Sequence, residues 1–378
     1  MRWRAGSGEL PRWADYGLVP LINLIAALIL AGGVVKLVGA DPIEALHALL
    51  FGAFGYGEAI GFTLYYATNF VFTGLAVAVA FHAGLFNIGG EGQAYIGSLG
   101  VGLVGLAAGN APWWAVAPFA VLAAGLFGAA WAFVPAYLQA KRGSHIVITT
   151  IMFNFIAAAL MTYLLVDVLI EPDQQAPQSR ELAASVDLPS LHDALAGLGL
   201  AVAPSPLNLS IALALACCVF VWLFLWRTRW GYELRAVGHS ESAAVYAGIS
   251  PARSIMLAMV VSGALAGFVG VNEILGVHHR LILGFTGGVG FVGIAVALMG
   301  RNHPVGIAVA ALMFGALYQG GSEIAFDIPV LNREMVVVIQ GLVILFCGAL
   351  ENMFRPQIAA LFRRSRPAAG IPTPASAA

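Results

Sequence analysis

Several polar side chains of this chain lie within long apolar stretches, where each must face a partner, a pore or water. Asn87, Glu91 and Gln93 fall in one short segment, and Asn272 with Glu273 ends another apolar stretch. Amides and carboxylates at such positions can hydrogen-bond a polar solute, or they can join two helices. For Glu91 the two interpretations have equal weight: contact with a solute, or a helix–helix hydrogen bond made by the protonated acid.

Other polar residues lie near the ends of apolar stretches or within them. Glu273 and Glu323, near the ends, predict simple exposure at the membrane interface. The run 278–280 (His-His-Arg) also predicts an interfacial cluster, since a metal site would need further ligands that the sequence does not supply. Asn69 and Asn154 lie mid-stretch and predict either a lining role or a helix–helix contact.

Two glycine-rich segments resemble each other, residues 87–93 (NIGGEGQ) and 285–291 (FTGGVGF). Each opens an apolar stretch, and in the topology given below these stretches run in opposite directions. An inverted repeat produces such a pair and places discontinuous helices at a central binding site. The glycines alone fit close helix packing without a site, but the neighbouring polar residues favour the inverted repeat.

The sequence contains no recognisable catalytic or nucleotide-binding constellation. Its two lysines, Lys36 and Lys141, do not belong to a GxxxxGK[ST] motif that would cradle a nucleoside triphosphate. Gly288, Gly290 and Gly293 spell GxGxxG, but no strand precedes them, which argues against a dinucleotide site. HExxH and GxSxG are also missing. The chain is therefore predicted to be no enzyme, to need no cofactor or metal, and to take any energy from ATP through another subunit.

The composition identifies the surroundings of these residues. Of the 378 residues, 60% are hydrophobic and 10% are charged, and the mean hydropathy is +0.88. Soluble domains carry roughly 25% charged residues, so the outer surface of this chain must face lipid. The net charge of −1 argues against a nucleic-acid partner. An all-α polytopic membrane fold is predicted, with about ten transmembrane helices at 17–38, 62–81, 86–108, 113–138, 145–169, 208–226, 254–276, 283–300, 304–324 and 335–352.

Basic residues orient this ten-helix arrangement. With both termini in the cytoplasm, 14 of the 18 lysines and arginines lie inside, as the positive-inside rule requires. This topology predicts a cytoplasmic arm over 1–16, a transmembrane domain over 17–354 and a disordered cytoplasmic tail over 355–378. The polar loop 170–207 lies outside. The turn before 86–108 carries no basic residue, so that stretch is predicted to be either fully spanning or partly re-entrant.

The loop 227–253 lies on the cytoplasmic side and contains a pattern typical of a short helix. Ser240 is a suitable N-cap, and the following residues up to Ala247 favour a helix. Gly248 provides a natural stop, and Pro251 prevents continuation into the next span. The sequence therefore predicts a short, capped helix exposed to the cytoplasm.

Three motifs in this order resemble the permease subunits of ABC importers, namely GLFNIGGEGQAYIGS (84–98), GYELRAVGHSESAAVYAGIS (231–250) and GFTGGVGFVGIAVALMGRNHPVGI (284–307). The sequence is most similar to the simple-sugar and nucleoside permeases, which are related to the branched-chain amino-acid and ribose permeases. The resemblance runs from the second predicted span to the last. It implies an inner-membrane subunit that pairs with a second permease (a sister or an identical one), two cytoplasmic ATPases and an extracytoplasmic binding protein.

The resemblance also gives the short cytoplasmic helix a role. In such importers a helix of this kind docks into a cleft of the ATPase, and the alternative is an ordinary connecting loop. The residues that the resemblance assigns to this coupling are Glu241, Ala243, Ala244, Tyr246, Gly248 and Ile249.

The sequence thus favours an importer permease for a nucleoside or a related small polar solute. A simple sugar or another heterocycle is the nearest alternative. A self-sufficient secondary transporter or channel, with Glu91 as a proton-coupled group, is an alternative of a different class. A nucleoside is neutral and rich in hydrogen-bonding groups, so amides and aromatic rings suit its path. The candidate lining residues are Phe86, Asn87, Glu91, Gln93, Asn272 and Phe285.

Overall fold

The computed structural model describes residues 19–171, 174–197, 199, 202–328, 330–331, 335–342 and 345. The named helices in chain order are α1 (Val19–Val38), α2 (Pro42–Phe54), α3 (Gly57–His82), α4 (Gly90–Ala107), α5 (Trp113–Arg142), α6 (Ile146–Tyr163), α7 (Leu191–Ala196), α8 (Ser210–Arg227), α9 (Arg229–His239), α10 (Glu241–Tyr246), α11 (Pro251–Gly267), α12 (Val289–Met299) and α13 (Pro304–Asp327). Two wider π-helical segments extend α6 over Leu164–Val168 and follow α11 over Val271–His278.

The chain divides into two compact units. One combines Met1–Ala45 with Val330–Ala378, and its described part contains α1 and a helical stretch over 335–342. The other, Leu46–Pro329, contains α3 to α13 and all of the residues discussed below as a site. The predicted arm 1–16 and tail 355–378 lie outside the described residues.

Six helical segments of the described chain are long and apolar enough to cross a membrane. Each matches a predicted span, which confirms a helical, multi-pass architecture. They are Gly57–His82, Trp113–Arg142, Ile146–Val168, Ser210–Arg227, Pro251–His278 and Pro304–Asp327.

The count of ten full spans is not confirmed. The predicted span 283–300 is wrong in extent, because turns occupy its first residues and α12 has only 11 residues. A helix of that length measures about 16 Å, roughly half of the ~30 Å hydrocarbon core. The predicted span 86–108 corresponds to the 18-residue α4. The predicted span 335–352 lies partly outside the described residues.

The sequence analysis missed α2, which fills part of the stretch between the first two predicted spans. The start of α2 has the features typical of a helix N-terminus. The Asp41 carboxylate accepts a hydrogen bond from the Ile43 N–H (2.8 Å), and Pro42 occupies the first turn. The helix has only 13 residues, so a search for ~20-residue apolar stretches passes over it.

Small residues bring the central helices into close contact. A Cβ atom on Gly97 of α4 would lie 2.2 Å from the Gly267 Cα of α11. Likewise, a Cβ on Gly128 of α5 would lie 2.2 Å from the Gly263 carbonyl oxygen. Such contacts are characteristic of membrane interiors, where packing replaces the hydrophobic effect between helices. They fix the position of α4, whose first turn contributes to the site.

The outward faces of α5, α6 and α8 carry large apolar side chains. Phe119, Phe155 and Val219 are 65%, 67% and 58% exposed, respectively. A surface of this kind suits lipid or another membrane subunit. By contrast, α3 is almost completely buried and packs against α11, α12 and α13.

The predicted outer loop folds back onto the helices. The Ser179, Leu182 and Leu188 N–H groups donate to carbonyls of residues 275–281 at 2.7–2.9 Å. The Leu182 and Leu188 side chains are buried in the same apolar cluster as Leu275. The loop therefore covers one end of the π-helical segment that follows α11.

Candidate functional site

The two glycine-rich segments meet at the starts of α4 and α12. The Glu91 carboxylate accepts one hydrogen bond from the Gly288 N–H (3.0 Å) and another from the Gly290 N–H (2.8 Å). The two backbones are in contact, since a Cβ on Gly290 would lie 2.1 Å from the Glu91 nitrogen. A carboxylate stabilises the unpaired N–H groups and partial positive charge of a helix start. Glu91 therefore links the two segments that the sequence analysis paired, and we call this contact the glycine junction.

Asn87 and Gln93 hold the loop that precedes α4. The Asn87 amide nitrogen donates to the Gln93 Oε1 (3.0 Å) and to the Ser262 Oγ (2.9 Å). The Asn87 Oδ1 accepts from the Gly89 N–H (2.9 Å) and from the Gln93 Nε2 (3.2 Å). Asn87 and Gln93 are 0% and 1% exposed. In this conformation both amides bind protein groups, and their contact with a substrate stays a prediction.

A cavity of about 250 Å³ opens beside the glycine junction. Glu91 is half-buried and borders it. Asn154, also half-buried, accepts a hydrogen bond from the Gly92 N–H and donates one to the Ile88 carbonyl, both at 2.9 Å. Each carboxylate or amide oxygen retains a free lone pair for a further donor. The cavity is lined by Glu91, Gly92, Tyr95, Asn154, Ala158, Gly284, Thr286, Gly287 and Gly288.

Aromatic rings border the same region. The Tyr95 ring stacks on Phe285 with centroids 5.0 Å apart and planes inclined by 17°. The Tyr95 hydroxyl accepts a hydrogen bond from the Gly284 N–H, which fixes the ring at the cavity wall. Phe285 itself is not among the residues that line the cavity, and neither is Phe86, which packs against Phe81 (5.3 Å between centroids).

Asn272 lies in a second buried group of polar residues. The Asn272 Oδ1 accepts hydrogen bonds from the Asn208 amide (2.9 Å) and the Ser210 hydroxyl (2.7 Å). The Asn272 amide donates to the Asn69 Oδ1 (2.9 Å). Asn272 is 0% exposed, so its predicted place on the substrate path stays a prediction.

Glu273 extends this group, and the expectation of interfacial exposure for it is wrong. It is 4% exposed and accepts hydrogen bonds from the Tyr65 hydroxyl (2.7 Å) and the Asn69 amide. Its second oxygen lies 3.2 Å from the His278 Nε2. A π-helix has a wider turn than an α-helix, so residues five apart come to one face. The polarity of these residues was visible in the sequence, but their partners on α3 were not.

His279 and Arg280 bind the covering loop. The His279 Nδ1 lies 2.8 Å from the Asp187 carboxylate, and the Arg280 guanidinium lies 3.0 Å from the Glu181 carboxylate. Burial raises the pKa of the Asp187 carboxyl, and the neighbouring imidazole offsets part of that rise. Among the described residues, no group of three or more His, Cys, Asp or Glu side chains could hold a metal ion.

The short capped helix predicted after Ser240 is present as α10. The Ser240 hydroxyl accepts a hydrogen bond from the Ala243 N–H (3.4 Å), and Gly248 ends the element at φ +76°. Tyr246 is 94% exposed, whereas Ala244 is 2% exposed and faces inward. Of the residues assigned to coupling, Glu241, Ala243, Tyr246 and Gly248 lie on the accessible surface and Ile249 is half-buried.

Comparison with known proteins gives consistent matches along the chain. Residues 59–348 match the family model described as the branched-chain amino acid transport system permease component. The glucose ABC transporter permease protein of Haloferax volcanii is 33% identical over 94% of this chain and 93% of its own length. The guanosine ABC transporter permease protein of Bacillus subtilis is 37% identical over 88% and 93%. The nucleoside ABC transporter permease protein of Lactococcus lactis subsp. cremoris is 34% identical over 87% and 90%.

No solved structure matches this chain. The family match covers more than half of the chain, and it agrees with the six apolar helical segments and with the resemblance found in the sequence. The chain belongs to the branched-chain amino acid transport system permease family, and it is a multi-pass membrane permease subunit of an ABC transporter.

Proposed function

We propose that this permease imports a nucleoside and that the cavity beside the glycine junction forms part of its path. The observation that carries this proposal is the combination of the Tyr95 ring, the half-buried Glu91 and the Asn154 amide around one cavity. A neutral heterocycle with donors and acceptors is matched by an aromatic face and a few hydrogen-bonding groups. Two of the relatives named above carry guanosine or nucleoside in their names.

The second candidate substrate is a simple sugar, favoured by the glucose permease relative. Sugars also use aromatic faces and polar side chains, so the cavity chemistry alone does not separate the two. A secondary transporter or channel is disfavoured, because the relatives named above are ABC transporter permease proteins.

The size of the cavity suggests that other surfaces complete the path. Its volume of about 250 Å³ is below the ~300–1,000 Å³ of sites that enclose a small ligand. We propose that a second permease subunit, identical or a sister, supplies the remaining wall. ATPase subunits in the cytoplasm and an extracytoplasmic binding protein complete the importer, and alternating access moves the helices around the cavity.

The proposed topology places both termini in the cytoplasm and the covering loop outside. The starts of α4 and α12 meet at Glu91, and α12 is about half a bilayer long, as expected for discontinuous helices of an inverted repeat. In a cysteine-depleted chain, Ala176→Cys is expected to react with an impermeant thiol reagent in intact cells. Ala247→Cys should react only after permeabilisation. The reverse pattern would contradict the topology.

The exposed surface of α10 is proposed to dock on the ATPase. Tyr246→Ala should lower transport and transport-stimulated ATP hydrolysis about tenfold while folding stays normal, because the ring is 94% exposed. Ala244→Arg is a different test, since a buried arginine at a 2% exposed position should disturb the loop itself. Normal coupling in Tyr246→Ala, with the variant assembled, would count against docking through this helix.

The proposed function is tested by uptake into membrane vesicles that contain the complete importer. ATP-dependent uptake of a labelled nucleoside, unaffected by a hundredfold excess of glucose, is expected. Glucose uptake that resists excess nucleoside would favour the second candidate. Nucleoside uptake that proceeds without ATP and stops when a protonophore is added would instead indicate a secondary transporter.

A further inference from the structure

A second cavity lies between the start of α9 and the start of α11, away from the glycine junction. Its volume is about 370 Å³. In the proposed topology this region is at the cytoplasmic face, where the membrane-spanning α8 ends at Arg227. The cavity is lined by Arg229, Trp230, Glu233, Arg253, Ser254 and Leu257.

The charges at this cavity favour an anion. Arg229 forms an ion pair with Glu233 (2.8 Å), which neutralises one guanidinium. No described carboxylate forms an ion pair with Arg253, so the cavity retains a positive charge. The first turn of α11 contains no acidic residue, and its partial positive charge adds to that of Arg253.

The Ser254 side chain at the cavity wall gives an independent indication of a ligand. Ser254 is 4% exposed and lines the cavity. Its backbone N–H donates to the Ser250 carbonyl (3.2 Å), but within the described residues its hydroxyl has no hydrogen-bond partner. Because the residue borders the cavity and its hydroxyl makes no bond within the described part of the protein, the hydroxyl is available to a group that enters the cavity.

The position of the cavity at the end of a spanning helix indicates which anion this is. Trp230 is 60% exposed, as an aromatic residue at a membrane interface is expected to be. Leu257 lies one turn further into α11 and gives the cavity an apolar wall. We propose that this cavity binds the phosphate group of an anionic phospholipid of the inner leaflet, with Arg253 and the Ser254 hydroxyl as ligands and Leu257 beside the glycerol end.

The test is native mass spectrometry of the full-length permease in detergent, titrated with phosphatidylglycerol or phosphatidylcholine. Phosphatidylglycerol should bind at least fivefold more tightly. Arg253→Gln should weaken it about fivefold, and Ser254→Ala about twofold, while phosphatidylcholine binding stays unchanged. The matched control is Arg142→Gln, which removes an exposed arginine at the end of α5 and should leave affinity unchanged.

Three results would overturn the proposal. Equal losses in Arg253→Gln and Arg142→Gln would indicate nonspecific attraction to charge. Full displacement of the lipid by millimolar inorganic phosphate would indicate a site for a free anion. Loss of the bound lipid when the ATPase subunits assemble would indicate that the surface belongs to the protein interface. Thermal unfolding of each variant confirms that it is folded.

Discussion

Two carboxylates within the helical bundle of this permease are hydrogen-bonded in different ways. Glu91 is half-buried and accepts its hydrogen bonds from backbone N–H groups at a helix start. Glu273 is 4% exposed and is surrounded by side chains, the Tyr65 hydroxyl, the Asn69 amide and the His278 ring. A backbone partner leaves the carboxylate open to a cavity, whereas the side-chain cage encloses it. Glu91 is thus accessible to a group in the cavity, whereas Glu273 joins the π-helical segment to α3.

The largest effect is expected for removing the enclosed carboxylate. Glu273→Ala leaves the Tyr65, Asn69 and His278 groups without their shared acceptor, at a position that is 4% exposed. Breaking a buried polar cluster of this kind costs about 3–5 kcal/mol. Folded yield and the unfolding temperature in detergent should fall strongly. Glu181→Ala, whose side chain is 63% exposed, serves as the control and should behave as wild type. A stable Glu273→Ala would show that the cage is not structural.

The next largest effect is expected for a substitution that disturbs the backbone contact at the glycine junction. In Gly290→Ala the new methyl would lie 2.1 Å from the Glu91 nitrogen and 2.6 Å from its Cα, so the helix starts must separate. Overpacking of this kind costs about 1–3 kcal/mol, and uptake should be lost because the cavity wall moves. Gly33→Ala, where no atom lies within 4 Å of the added Cβ, is the control for yield and transport. Uptake by Gly290→Ala at the wild-type rate would contradict the close contact.

Replacement of Glu91 distinguishes the two interpretations of its role, contact with a solute and contact between helices. In Glu91→Gln one carboxylate oxygen becomes an NH₂ group that faces a backbone N–H donor, so one hydrogen bond is lost. Leaving that donor without an acceptor costs about 1–3 kcal/mol. Uptake should fall about tenfold while folded yield changes little. Glu91→Leu should reduce both. If Glu91→Gln instead loses folded protein without a change in transport per folded molecule, Glu91 is only a helix–helix contact.

The smallest effect is expected for Tyr65, one of the side chains that surround Glu273. Tyr65→Phe removes one of the donors to Glu273 and should cost about 1 kcal/mol. The unfolding temperature should drop by a few degrees, and uptake per folded molecule should stay unchanged. A selective loss of uptake in this variant would place the cage on the transport path and would remove the distinction from Glu91.

The sequence predicted those parts of the fold that depend on local pattern. The positions of six apolar spans and the short helix between Ser240 and Gly248 follow from hydropathy and capping, and both are found. The pairing of residues 87–93 with 285–291 was inferred from their similarity, and the segments are in contact at Glu91.

The features that the sequence left open depend on contacts between distant segments. Glu273 looked interfacial because the residues that donate hydrogen bonds to it, Tyr65 and Asn69, lie about two hundred residues earlier in the chain. The π-helical turn that brings His278 to the same face has no simple hydropathy signal. Asn87 looked available for a solute, but tertiary contacts with Ser262 occupy its amide. The 13-residue α2 was missed because it is shorter than a span.

Substrate protection of the cavity is the most direct test of the central claim. In a cysteine-depleted permease assembled with its partners, Ala158→Cys places a thiol at the cavity wall. Phe155→Cys, on the same helix but 67% exposed and outside the cavity lining, is the control. We expect nucleoside delivered by the binding protein to slow modification of Ala158→Cys at least fivefold and to leave Phe155→Cys unaffected. Equal modification of Ala158→Cys with and without nucleoside, in a complex that still transports it, would contradict the claim.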